Sequence, residues 1–182
     1  MILLASIPIG IVLGLLLRGR LSGLNALHFA WAPIVVVGFV VQVALFTPAG
    51  SALAGDLGPP IYVASTAAVL VAVLRNLRTA GMPVVALGAL SNLVAITANG
   101  GVMPTTREAL AAAGLDGPGT ATNSAIVANP VFQPLTDIFA IPAGVPLANV
   151  FSVGDVLIGL GIVLIVAAAM VRRPLTPAGA TA

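Results

Sequence analysis

The chain contains no cysteine and no lysine, only one histidine, and few charged residues of either sign. Without cysteine it has no disulfide framework, no thiolate metal site and no cysteine nucleophile. His28 alone excludes a multi-histidine metal site or a bis-histidine haem within this chain. The pI of about 10.5 reflects a net charge of only +2, which is no evidence for nucleic-acid binding.

Apolar residues take the place of the missing charges. The sequence is 59% hydrophobic and 7% charged, with a mean hydropathy of +1.17, whereas ordinary soluble domains carry roughly a quarter charged residues. A chain of 182 residues cannot hide this much apolar surface in a core, so lipid is its expected solvent. The predicted fold class is all-α, a polytopic membrane helix bundle forming one domain. The five predicted transmembrane helices cover residues 1–17, 28–46, 59–77, 82–98 and 149–171.

The first predicted helix carries Gly10 and Gly14, a pair spaced to let another helix approach closely. Between the fourth and fifth helices, residues 99–148 are mixed in character. Thr105 and Glu108 fit a capping box, which predicts a helix of about two turns that ends at Gly114. The rest of the segment is apolar but broken by four prolines, which excludes a lipid-exposed span. We therefore expect an extracytoplasmic lid that rests on the helices.

Charge asymmetry predicts the orientation. Six arginines, at positions 18, 20, 75, 78, 172 and 173, fall on one side of the predicted helices, and only Arg107 falls on the other. The positive-inside rule then places the N-terminus outside, the C-terminus in the cytoplasm and residues 99–148 outside. The composition, rich in Ala, Gly and Val and free of lysine, suggests a high-GC bacterium. The expected location is therefore the bacterial cytoplasmic membrane.

Two polar residues inside predicted helices are candidates for ligand or partner binding. Asp155 lies a few residues inside the last helix, where a carboxylate should face protein or water. Asp155 is either a functional acid or the third residue of a helix that Ser152 caps, where the helix dipole favours an acid. Asn92 lies near the middle of the fourth helix, where an amide either joins helices or contacts a ligand.

The remaining candidates lie beyond the fourth helix. Asn99 is expected to cap the helix end, while Gly100 and Gly101 supply unusual backbone angles or let the backbone approach a ligand. Arg107 and Asp137 are either solvated charges or an ion pair, and Arg107 has Asp155 as a second possible partner. No spacing of carboxylates matches a metal loop, so no metal site is predicted. Catalytic residues and cofactors stay unassigned.

Two motifs carry a resemblance. N-G-G-x-M-P (Asn99–Pro104) and S-x-G-D (Ser152–Asp155), separated by a mixed loop, are similar to those of small bacterial integral membrane proteins with a domain of unknown function. The similarity covers nearly the whole chain. It implies a five-helix membrane protein whose motif-bearing loop is outside, and it implies no activity.

Three functions remain open. The favoured one is a non-enzymatic subunit or binding module, which contacts a partner membrane protein, a lipid or a quinone-like ligand at the outer leaflet. The alternative is a membrane enzyme acting on a lipid or polyprenyl head group, with Asp155 and Asp137 as acid and base and with Asn99 and Arg107 orienting the substrate. An oligomeric transporter or pore is the third. The expected partners are membrane lipids and either a partner membrane protein or further copies of the chain, and nucleic acid is not expected.

Overall fold

The structure, a computed structural model, describes residues 2–116 and 124–171, and within them the chain is mainly helical. The α-helices described are α1 (Ile2–Leu16), α2 (Ala32–Leu45), α3 (Pro48–Ala54), α4 (Gly58–Leu74), α5 (Met82–Ala98), α6 (Arg107–Ala113) and α7 (Val153–Val171). Short 3₁₀ turns occupy Leu21–Ala26, Gly55–Leu57 and Gln133–Leu135. The helical prediction is confirmed, but the all-α assignment is wrong in detail because four short strands are present.

The strands form two small sheets in the segment between α5 and α7. β1 (Met103–Thr105) pairs in parallel with β2 (Ser124–Ile126), and β3 (Phe139–Ile141) pairs antiparallel with β4 (Asn149–Phe151). Residues 149–151 were expected to begin the last helix. They form a strand instead, since their backbone groups pair with β3, and α7 begins only at Val153.

Other boundaries differ for local reasons. The second helix begins at Ala32 and not at His28, because Trp31 has a left-handed backbone (φ 62°) and Pro33 lies in the first turn. The expected loop after α2 is helical as well, since Thr47 caps α3 by accepting a hydrogen bond from Gly50 N at 3.0 Å.

The five apolar helices α1, α2, α4, α5 and α7 lie within or close to the five predicted spans. Two helical stretches, Pro48–Leu74 and Val153–Val171, are long and apolar enough to cross a membrane, and the other three are apolar but hold only 10 to 17 residues. Helix length alone therefore supports two crossings and does not support five.

The apolar helices are arranged in an open arc. Extensive contacts join α1 to α7, α7 to α5, α5 to α4 and α4 to α2, whereas α1 and α2 share at most a marginal contact over the described residues. The two ends of the arc are therefore separate, and its concave side is lined by all five helices.

Glycines allow the closest helix contacts. A Cβ at Gly154 of α7 would overlap Asn92 Oδ1 of α5, and a Cβ at Gly10 of α1 would lie 2.8 Å from Val166 Cβ of α7. A Cβ at Gly14 would likewise lie 2.6 Å from Met170 Sδ. The close approach predicted for Gly10 and Gly14 is confirmed, and its partner is α7 of the same chain.

The segment between α5 and α7, which we call the cap segment (residues 99–116 and 124–152), has its own small core. Ala109, Leu110, Ala113 and Val150 form a buried cluster in which α6 packs on β3 and β4. Thr106 caps α6 by accepting a hydrogen bond from Ala109 N at 3.1 Å, and the helix ends at Gly114 with φ 69°. The predicted short helix is confirmed. Its cap is one residue later than expected, because Thr105 belongs to β1.

Candidate functional site

A cavity of about 640 Å³ occupies the concave side of the arc, and we call it the groove. One stripe from α5 and one from α7 line its floor, and stripes from α1, α2 and α4 line its sides. The floor residues are Met82, Val85, Ala89, Asn92 and Ile96 of α5 and Asp155, Ile158, Ile162 and Ile165 of α7.

The groove is long and mostly apolar. Its floor residues recur every three or four positions, which is the spacing of one helix face. Met82 and Ile96 are fourteen positions apart on α5, so the groove extends about 21 Å at ~1.5 Å per residue. Its volume lies in the ordinary range for small-molecule sites.

The groove is open between α1 and α2. Leu4 and Ile7 of α1 line it and are 59% and 48% exposed, and Val36 and Phe39 of α2 line the opposite side at 60% and 44%. Large apolar side chains on both edges of an opening are unfavourable in water. The opening is therefore suited to surroundings that are themselves apolar.

Both acidic residues that line the groove lie at one end, which we call the polar end and define by Asn92, Asp137 and Asp155. The other amide residues among the lining are Gln42, Asn76 and Asn149. Asn92 Nδ2 donates to Asp155 Oδ1 at 2.8 Å and joins α5 to α7 across 63 positions of sequence. Asn92 Oδ1 accepts from Ser152 Oγ at 2.8 Å. The Asn92 amide thus holds the start of α7 through both its nitrogen and its oxygen.

The start of α7 is a reciprocal cap. Ser152 Oγ accepts from Asp155 N at 3.0 Å, and Asp155 Oδ2 accepts from Ser152 N at 3.1 Å. The helix-start role predicted for Asp155 is confirmed. The structure adds that Asp155 also bonds to Asn92 and lines the groove.

Asp137 comes from the cap segment and is 3% exposed. Its Oδ2 accepts from Ser124 Oγ at 2.5 Å, while its Oδ1 is buried with no hydrogen-bond partner in the described residues. Burial raises the pKa of Asp137 to about 7; the Ser124 hydrogen bond opposes this rise and the nearby charge of Asp155 adds to it.

The backbone of Asp137 is fixed independently of its carboxyl group. Its N–H donates to Pro104 O at 2.9 Å, and its carbonyl accepts from Thr105 Oγ1 at 2.7 Å. Since Pro104 ends the N-G-G-x-M-P stretch and Thr105 follows it directly, this stretch positions Asp137 against the helices.

The other candidates of that stretch lie outside the groove lining. Asn99 ends α5, where its Nδ2 donates to Ala95 O and Val131 O and its Oδ1 accepts from Val131 N. Gly100 and Gly101 have φ angles of 71° and 85°, and a Cβ at Gly101 would meet Pro59 at 2.6 Å. The expected cap and backbone angles are confirmed, and the close approach of Gly101 is to Pro59.

Arg107 begins α6 and is exposed. It is not among the charges that act on Asp137, and it does not line the groove. Of the four residues assigned to the possible enzyme, the groove brings together Asp137 and Asp155, and it does not include Asn99 or Arg107. In the part of the chain described, no group of three or more His, Cys, Asp or Glu side chains is placed to hold a metal ion.

Sequence reasoning missed the edges of the groove and the Ser124 contact. The lining residues of α1 and α2 lie in almost uniformly apolar runs, and Gln42 of α2 is the one polar residue among those described. Gln42 carried a weak signal. Its Nε2 lies 3.4 Å from Ser65 Oγ and 3.3 Å from Thr66 Oγ1, joining α2 to α4 at the side of the groove.

One comparison with known proteins gives a result. A family of unknown function, DUF5317, matches residues 26–167, which include Asn92, Asp137, Asp155 and both sequence motifs. No curated protein and no solved structure matches the chain. Because the family match covers well over half of the sequence, the chain belongs to the DUF5317 family of unknown function.

Proposed function

We propose that the protein is a membrane-embedded binding module whose groove holds the long apolar tail of an amphiphile, such as a lipid or a quinone-like molecule, with its polar head at the polar end. The observation that carries the proposal is the groove itself: a mostly apolar cavity about 21 Å long whose two acidic lining residues, Asp137 and Asp155, lie at one end. Binding sites commonly combine an apolar lining with a few polar groups in this way.

The membrane part of the proposal is that all five apolar helices cross, with the N-terminus outside and the long cap segment on the outer face of a bacterial cytoplasmic membrane. Helix direction supports it. Gly10 and Gly14 of α1 contact Val166 and Met170 of α7 in the same order, so α1 and α7 run parallel. Asn92 meets Asp155, whereas Gly81 meets Ile165, so α5 runs antiparallel to both.

Basic and acidic residues lie at opposite ends of the helix bundle. Arg20 N donates to Met170 O at the end of α7, and Arg75 caps the end of α4, so the arginines at 18, 20, 75 and 78 belong to the end opposite Asp155. Asp56, Glu108 and Asp137 belong to the Asp155 end. The positive-inside rule makes the arginine end cytoplasmic.

The shorter helices are compatible with crossing. α2 holds 14 residues and spans about 21 Å, below the ~30 Å of a typical hydrocarbon core. Local thinning of the bilayer accommodates such a mismatch at a modest cost. The apolar face of α2, with Val37, Val40 and Val43 each at least 60% exposed, is then covered by lipid.

Single cysteines test the topology. Cysteine in place of Ser51 or Ala111, which are exposed, should react with a membrane-impermeant thiol reagent in intact cells, and cysteine in place of Ala80 should react only after permeabilisation. Labelling of the Ala80 position in intact cells, with protection of the Ala111 position, would reverse the orientation.

Two adjacent valines test the groove. Val36 and Val37 are both 60% exposed on α2, but only Val36 lines the groove. We expect Val36→Trp to fill the opening and to lower the amount of amphiphile retained by the detergent-purified protein, measured by native mass spectrometry. Val37→Trp, the matched control, should retain as much as the unmodified protein. Equal retention by both variants would show that the bound molecules lie outside the groove.

A further inference from the structure

The acidic and basic side chains that line the groove are of one sign. Asp137 and Asp155 line its polar end, and no arginine, lysine or histidine is among the lining residues described. The arginines at 18, 20, 75 and 78 lie toward the opposite end of the bundle, and Arg107 is exposed on α6. An anion entering the polar end would meet two carboxyl groups, and no cationic side chain lines the described part of the groove beside them.

The hydrogen-bonding capacity of the polar end is also one-sided. Asp155 is half-buried; each of its carboxylate oxygens accepts one hydrogen bond from the protein, and a carboxylate oxygen has room for a second. Asp137 Oδ1 is buried and accepts no hydrogen bond within the described residues. Asn92 already donates to Asp155. The second N–H of Asn92 is one remaining donor, so the three residues that define the polar end offer more acceptor sites than donors.

We infer that the polar end of the groove binds a head group that donates hydrogen bonds and carries no negative charge, an alcohol or an amine, and that it excludes phosphate. This inference rests on the proposed binding of an amphiphile in the groove. The donor would bond to the half-buried carboxylate of Asp155, and the nearby carboxyl group of Asp137 would act on it through its charge. A phosphate offers only acceptors when fully ionised, and its charge would be desolvated beside two carboxyl groups.

The test uses four probes with one saturated sixteen-carbon tail: hexadecanol, hexadecylamine, hexadecyl phosphate and hexadecane. Each is titrated at pH 8, above the pKa of about 7 of Asp137, into the full chain in nanodiscs of zwitterionic lipid, and occupancy is read by native mass spectrometry. We expect the alcohol and the amine to bind at least about tenfold more tightly than the phosphate. A preference for the amine over the alcohol would identify charge as the stronger attraction, and equal affinity would identify hydrogen bonding. Both results support the inferred class.

Matched variants assign the effect to the polar end. Asp137→Asn keeps the size of the side chain and removes a carboxyl group. It should therefore reduce the ratio of the affinity for hexadecylamine to the affinity for hexadecyl phosphate by several-fold. Asp56→Asn, at an exposed site away from the groove, should leave that ratio unchanged. An unchanged ratio in Asp137→Asn would overturn the role of Asp137.

The two proposals fail differently. Phosphate binding as tight as that of the alcohol and the amine would overturn the head-group inference and leave the groove intact. If none of the four probes binds, hexadecane included, the proposed function itself is wrong.

Discussion

Helices α7 and α2 are similar in sequence character and opposite in environment. Both are apolar runs without a basic residue, yet α7 buries eight residues and α2 buries only Gly38. α7 is enclosed by α1 and α5 and is tied at its start to Asn92, whereas α2 packs mainly on α4 and α3. The difference shows that hydropathy identifies both helices as apolar and does not tell a helix that holds the bundle together from one that faces lipid.

The largest expected effect concerns the polar end, where α7 is fixed. Folding raises the pKa of Asp137 from 3.8 to about 7, so the folded state holds this proton more tightly than the unfolded state. The proton on Asp137 therefore stabilises the folded state. Its contribution to the free energy of unfolding is full below about pH 4 and is lost as pH rises through 7. At ~1.4 kcal/mol per unit, the loss is of order 4 kcal/mol at most. Thermal unfolding in detergent between pH 4 and pH 8 measures it.

Two variants control this measurement. Asp137→Asn should flatten the dependence on pH, and Asp56→Asn should leave it as in the unmodified protein, because Asp56 is exposed. A slope that survives unchanged in Asp137→Asn would show that other groups cause it.

The second effect concerns the contact of α7 with α5. In Gly154→Ala the new Cβ would overlap Asn92 Oδ1 and lie 2.8 Å from Gly88 O, a backbone atom that has little freedom to move. We expect a loss of about 2–3 kcal/mol, since overpacking forces helices apart. The melting temperature and the elution profile of the purified protein report it. A variant as stable as the parent would mean that α5 and α7 are more loosely packed than described.

The smallest effect is the same substitution on α2. In Gly38→Ala the new Cβ would meet Val69 Cγ2 at 2.5 Å, a side-chain methyl group, and the nearest backbone atom, Ser65 O, lies 3.5 Å away, so α2 can shift with less strain than α7 at Gly154. Replacing a helix glycine by alanine also gains up to about 1 kcal/mol. The two contributions should leave stability within about 1 kcal/mol of the parent, measured by the same melting experiment. A loss as large as that of Gly154→Ala would remove the contrast between the two helices.

Local signals in the sequence predicted much of the fold. The Gly10 and Gly14 pair, the cap at Ser152 and Asp155, the Asn99 cap and the end of α6 at Gly114 all depend on neighbouring residues, and the structure has each of them. Two errors, the start of α2 and the helix α3, have local causes at Trp31 and Thr47. The error at the start of α7 lies where distant backbone decides. Residues 149–151 became a strand through pairing with β3, which no local pattern encodes.

The candidate site could be predicted only in its parts. Asn92 and Asp155 were singled out because polar groups are rare inside apolar helices, but their contact joins positions 63 residues apart. Ser124 gave no signal as a partner of Asp137. The groove depends on the curvature of the arc and on the separation of α1 from α2. Uniformly apolar helices contain no information on which face points inward.

A photoreactive amphiphile tests the central claim that the groove holds an apolar tail. The probe has a neutral head and a diazirine at the end of a saturated tail, and cross-linked residues are identified by mass spectrometry of the full chain in nanodiscs. We predict labelling at the end of the groove opposite Asp155, on Met82, Val73 and Ile165. Labelling confined to the outward face of α2, on Val37, Val40 and Val43, would contradict the account.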